Sequence, residues 1–163
     1  MRTTRIKNPQ ELEDQLRPPY NYFVQVACHT GLRVSDILRL KVGQLKQKHY
    51  YITEKKAGKK REIYLPKKIR NDMLKYADRH GYKDNEFFFQ SKQNCKKHIT
   101  RQTIWRQIKR ASKAEGLKGN IAPHSCRKHF AYKTYIRKSK NIQKVQNTMK
   151  HSNIADTILY LFD

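Results

Sequence analysis

The sequence contains no run of about 18 apolar residues, so it offers no candidate membrane-spanning helix, and no signal peptide or lipidation motif stands out. Acidic residues are scarce: 13 stand against 37 lysines and arginines, a formal net charge of +24 over 163 residues. That surplus excludes an ordinary near-neutral domain and calls for a polyanionic partner. The cysteines, Cys28, Cys95 and Cys126, are odd in number and far apart, with no C-x-x-C pair and no zinc-type Cys/His spacing. This argues against a disulfide framework and a structural metal, and makes metal-free chemistry without a cofactor the first expectation. Internal repeats, low-complexity segments and linkers are also missing, so the chain reads as a single domain, long enough to bury a core.

The basic residues recur inside segments that also carry apolar periodicity, so the charge belongs to a folded surface and not to a disordered arm. A membrane surface is the competing polyanion, but no basic amphipathic anchor is evident. Duplex nucleic acid is therefore the expected partner, with no membrane involvement, and a cytoplasmic, nucleoid-associated location follows as an expectation.

Asn8-Pro9 has the form of a helix start, and Pro18-Pro19 ends that helix. A second helix is predicted from about Tyr20 to Thr30 with Gly31 as its left-handed stop, and Ser35 can cap a third. Tyr50–Thr53 and Glu62–Leu65 are rich in branched and aromatic residues and flank Lys55-Lys56-Ala57-Gly58-Lys59-Lys60, which predicts a hairpin with a basic tip. A helix from about Lys67 to His80 follows, and Glu86-Phe87-Phe88-Phe89 reads as a third strand of the same sheet. Further helices are predicted over Thr100–Glu115, from Pro123 to about Lys138, from an Asn141 cap to Met149, and from a Ser152 cap to the end. The expected fold is α+β: mainly helical, with a small three-stranded antiparallel sheet.

Three stretches carry candidate chemistry. Thr30-Gly31-Leu32-Arg33-Val34-Ser35-Asp36-Ile37-Leu38-Arg39-Leu40 places an arginine in a tight corner between helices, and His124-Ser125-Cys126-Arg127 opens a helix, where free N–H groups and the dipole favour an anion. Lys150-His151-Ser152-Asn153-Ile154 precedes Tyr160, nine residues after His151. Alone, each has an ordinary reading: a basic helix start, or a tyrosine packed among Ile154, Ile158 and Leu161 at helical spacing. Together, in this order, they resemble the two arginine blocks and the nucleophile block of the tyrosine recombinases, the phage-integrase family. The hairpin resembles that family's lysine-bearing hairpin, which maps the lysine onto Lys56, although Lys55, Lys59 and Lys60 are chemically equal on sequence alone.

The resemblance spans about residues 20 to 162 and implies the family's catalytic fold and a site-specific recombinase that cleaves and rejoins DNA through a 3′-phosphotyrosyl intermediate. It assigns Tyr160 as nucleophile, with Arg33, Lys56, His124, Arg127 and His151 as its catalytic companions and Asp36 in support. The residue chemistry agrees. Cleaving a phosphodiester this way needs a nucleophile, cations for the two non-bridging oxygens and an acid for the leaving 5′ oxygen. Arg33 and Arg127 suit the oxygens because a guanidinium stays charged and offers paired donors. His124 and His151 can donate to those oxygens or accept the tyrosine proton, and the division between them is open. Lys55, Lys59, Lys60, Arg61 and Lys128 are the expected contacts to the DNA backbone.

The pattern departs from the family at Lys150, where glycine is usual before the histidine, and at Cys126, where leucine is usual. Members also commonly carry a DNA-binding domain ahead of the first block. Here 32 residues precede Arg33, so the expectation is one catalytic domain over 1–163 without that N-terminal core-binding domain. The resemblance further implies assembly as a homo-tetramer on DNA. Two alternatives stay open from sequence: a type IB-like topoisomerase, and a non-catalytic basic DNA-binding regulator of the same fold.

Overall fold

The structure, a computed structural model, describes residues 2–54, 58 and 60–162. Helix α1 (Pro9–Asp14) starts where the Asn8 side chain accepts the Gln10 N–H, with Pro9 in the first turn. Helix α2 (Tyr20–Thr30) buries Phe23, Val24, Val26 and Ala27 and stops at Gly31, whose φ of 63° lies in the left-handed region. Helix α3 (Val34–Leu38) begins one residue before the expected Ser35 cap. The Arg33 carbonyl already accepts the Asp36 and Ile37 N–H groups, each at 3.0 Å, so Arg33 occupies the cap position. The single turn α4 (Val42–Leu45) is absent from the sequence reading, because four residues are too few to display a period.

Strands β1 (His49–Thr53) and β2 (Lys60–Tyr64) pair antiparallel, from His49↔Tyr64 to Thr53↔Lys60. Tyr50 and Ile63 face the core, while Tyr51 and Tyr64 face outward. The expected third strand is not part of this sheet, which has two strands among the described residues. The segment around Phe87 is held instead by the α3–α4 connection, through the Phe88 N–H to the Leu40 carbonyl at 2.8 Å and an isolated bridge between Lys41 and Phe87. Phe88 and Phe89 are adjacent yet both fully buried, so this stretch lacks the in–out alternation of a strand with one solvated face.

The remaining helices are α5 (Lys67–Arg79), α6 (Arg101–Ala114), α7 (Pro123–Arg137), α8 (Ile142–Met149) and α9 (Ile154–Phe162). The Thr100 side chain caps α6 and Asn141 caps α8. At α9 the cap is Asn153, whose Oδ1 accepts the Ala155 N–H at 2.9 Å; the expected Ser152 stands one residue too early. The main core gathers apolar side chains from α1 to α6 with the hairpin, including Leu12, Phe23, Leu38, Tyr50, Met73 and Ile104. A second, smaller core of Phe130, Ala131, Val145, Met149 and Leu161 joins α7, α8 and α9. Phe130, Val145, Met149 and Leu161 each contribute about 1.5–3 kcal/mol on burial, and Leu161 is the α9 side chain among them. Among the described residues no helix is long and apolar enough to cross a membrane.

Candidate active site

The corner after α2 is where the distant parts meet. A helix C-terminus presents unpaired carbonyls and the negative end of its dipole, so it draws cations. Arg61 donates from Nη2 to the Thr30 carbonyl at 2.6 Å, and Arg127 donates from Nη1 to the Gly31 carbonyl. Arg127 also donates from Nη2 to the Met149 carbonyl at 3.1 Å, tying α7 to the corner on one side and to the end of α8 on the other. Its Nε has no hydrogen-bond partner among the described residues although the side chain is only 2% exposed. A buried, charged donor left open in this way is suited to an incoming anion.

Arg33 extends from the α3 cap position, with Nη1 3.2 Å from the Glu54 Oε2. Arg33, His124 and Arg127 line one open cavity of about 610 Å³ together with Arg39, His98 and Arg101. None of the last three is a site residue in the sequence reading: Arg39 lies in the first arginine block just after α3, while His98 and Arg101, at the start of α6, are far from any block. Among the described residues no group of three His, Cys, Asp or Glu side chains is placed to hold a metal ion.

Tyr160, near the end of α9, stands edge-on between two histidines, with ring centroids 4.8 Å from His124 and 4.8 Å from His151. Its hydroxyl bonds to His124 Nε2, and the Arg127 guanidinium carbon lies 5.9 Å from its ring centre. His151 is oriented by its Nδ1 contact to Thr157 Oγ1 at 3.0 Å, a residue fully buried on α9. Lys150 adopts a left-handed φ of 53°, the region that makes glycine usual there, and its Nζ donates to the Lys60 carbonyl at 3.0 Å. This departure from the family pattern thus links the tyrosine end of the site to the hairpin.

Burial, then the positive charge of Arg127, depresses both histidines: His124 falls to about 4 and His151 to about 4. His124 nonetheless keeps an exposed edge on the cavity, where solvent screens part of this effect. Both rings are neutral at pH 7, and a neutral ring protonated on Nδ1 offers Nε2 as an acceptor to the Tyr160 hydroxyl. Burial raises the Tyr160 phenol, with Arg127 and Arg33 pulling it back, so at neutral pH it keeps its proton and needs a base before attack.

Of the expected residues, Arg33, His124, Arg127, His151 and Tyr160 are brought together. Asp36 is buried in the first turn of α3 and lines a smaller cavity of about 220 Å³ beside Arg39 and Tyr51. Lys55, Lys56 and Lys59 lie outside the described residues. Lys60 is exposed at the start of β2. Arg61 and Lys128, expected on the DNA-facing surface, are both buried. Arg61 points inward because the strand's alternation turns it toward Glu54 and the Thr30 carbonyl, and Lys128 sits on a stretch of α7 buried from Ser125 to Ala131.

The phage integrase family model matches residues 4–162, and the chain belongs to that family. A probable integrase/recombinase, YoeC, of Bacillus subtilis (strain 168) is 34% identical over 143 residues, covering 86% of this chain and 76% of the relative. Tyrosine recombinase XerA of Pyrococcus furiosus is 27% identical over 133 residues, covering 80% of this chain and 46% of that protein. The chain thus spans about half the length of that relative. Among solved structures, XerA recombinase superposes with a TM-score of 0.78 at 23% identity, over 100% of this chain and 61% of that one. A lambda integrase dimer bound to a COC′ core site gives 0.73 at 20% identity, over 98% of this chain and 48% of that one. These likenesses establish the mainly helical tyrosine-recombinase catalytic fold.

Proposed function

We propose that this chain carries the catalytic unit of a tyrosine-type site-specific DNA recombinase, with residues 4–162 as one domain. The observation that carries the reading is the seating of the Tyr160 hydroxyl on His124 Nε2, beside two arginines that begin 94 positions apart in the sequence and share one cavity. Tyr160 attacks the phosphorus of a DNA phosphodiester while its proton passes to His124. The bond to the 5′ oxygen breaks, leaving a 3′-phosphotyrosyl link and a 5′ hydroxyl that takes a proton from the hairpin, where Lys56 is the candidate acid. Arg33 and Arg127 stabilise charge on the non-bridging oxygens, and His151 adds a donor or fixes the tyrosine ring. A 5′ hydroxyl from a second strand reverses the step, and the energy of the broken bond is retained throughout.

The lambda integrase dimer bound to a core site supports DNA as the substrate, and the charge of +24 supports it independently. We extend the reading to a homo-tetramer that forms on paired DNA sites. The test is incubation with a pool of nicked duplexes carrying a randomised recognition arm, followed by recovery of protein–DNA adducts that survive denaturation. The wild-type protein is expected to yield an adduct that Tyr160→Phe does not form. No adduct from wild type, or one that persists in the variant, overturns the proposal.

A further inference from the structure

Glu54 was not singled out as a site residue, yet it is the most buried carboxylate near the cleft, at 1% exposure. Its two oxygens are divided between two guanidiniums: Oε2 accepts from Arg33 Nη1 at 3.2 Å and Oε1 from Arg61 Nη1 at 3.2 Å. Arg61 is in turn fixed by the Thr30 carbonyl at 2.6 Å. The Glu54 carbonyl accepts the Gly58 N–H at 2.8 Å. Glu54 therefore contacts the cation of the cleft directly and reaches the end of α2 through Arg61, from the base of the hairpin.

We infer that Glu54 is a positioning residue for Arg33, holding its guanidinium in the plane that receives the scissile phosphate and setting the hairpin against it. The inference rests on the recombinase reading above. Both Glu54 oxygens are taken by guanidiniums and a carboxylate repels a phosphate, so any effect on cleavage passes through Arg33 or the hairpin. Among the described residues only Nη1 of Arg33 is engaged, which leaves the opposite edge of the fork for two phosphate oxygens. Arg61 explains why the carboxylate does not cancel the charge needed there. The triad of two arginines and one glutamate keeps a net positive charge, and the Glu54–Arg33 contact supplies orientation without neutralising the site.

This separates positioning from simple electrostatics by sign. A carboxylate acting only as a nearby negative charge repels the phosphate, so its removal strengthens DNA binding and speeds cleavage. A positioning carboxylate gives the opposite result for the rate. The experiment uses duplexes recovered from the randomised nicked pool and measures DNA affinity and single-turnover adduct formation for wild type, Glu54→Gln, and Glu54→Gln combined with Arg61→Met. The double variant removes the buried guanidinium that Glu54→Gln leaves uncompensated, so it restores thermal stability if the single variant loses it.

Glu54→Gln is expected to slow adduct formation by about tenfold or more while affinity stays within about threefold of wild type. The double variant is expected to regain stability but not rate. Cleavage in Glu54→Gln as fast as wild type or faster overturns the inference, as does a double variant whose rate returns together with its stability. Failure of the wild type to form any adduct is a different result: it removes the recombinase reading, and this inference falls with it.

Discussion

Replacing Gly31 with alanine tests whether the corner that joins the two arginines is as tightly constrained as its geometry indicates. Gly31 has a φ of 63°, a conformation that costs an L-residue about 1–2 kcal/mol. A Cβ built there falls 2.2 Å from Cδ1 of Phe130, far inside contact distance. Phe130 belongs to the small core of α7, α8 and α9, and forcing it aside costs a further ~1–3 kcal/mol by overpacking. The expected loss is therefore about 2–5 kcal/mol. Gly116→Ala is the control: its φ is 67°, but among the described residues no atom beyond its chain neighbours lies within 4 Å of the added carbon, so only the ~1–2 kcal/mol conformational cost applies. Urea denaturation of both variants gives the difference. For a domain of this size each kcal/mol lowers the melting temperature by about 2–4 °C, which makes thermal unfolding a second readout. Because the Gly31 carbonyl accepts from Arg127, Gly31→Ala is also expected to slow cleavage at temperatures where it remains folded. Equal losses in the two variants, within about 0.5 kcal/mol, would refute the role assigned to the Phe130 contact.

Two further outcomes follow from the charges around the cleft. His124 and His151 are both depressed to about 4 in the folded protein, against about 6.5 unfolded, so the unfolded chain binds more protons between those values. Their contribution to stability is complete above about pH 6.5 and is lost as pH falls toward 4; ring-proton NMR midpoints at or above 6.5 in the DNA-free protein would show that the rings are not held as described. Arg101 lines the same cavity as Arg33 and Arg127, and Arg101→Gln is expected to reduce the slope of log affinity against log salt by about 0.9 for a lost phosphate contact. An unchanged slope would place Arg101 away from the DNA backbone.

The sequence by itself determined the reaction class and most of the elements. Gly31, Asn141 and Thr100 sit where local backbone chemistry demands them, and α2 and α6 carry their apolar residues at helical spacing, so these were legible from neighbours in the chain. The arginine and tyrosine blocks were legible because each is a short run with fixed internal spacing. Phe87-Phe88-Phe89 reads as a strand of the sheet because a short apolar run does not say whether its edge meets a sheet or a loop, and the partner, the α3–α4 connection, is 46 or more residues away. From sequence Arg61 and Lys128 read as surface cations, because charge alone does not reveal which way a side chain points. Only the tertiary structure decided that Arg61 turns in to a buried carboxylate and the end of α2. The same holds for Glu54, Arg39, His98 and Arg101. Arg39 and Glu54 fall inside the first arginine block and the hairpin block, but their contacts, like the placement of His98 and Arg101, come from distances across the fold, set by how α2, α7 and the hairpin pack.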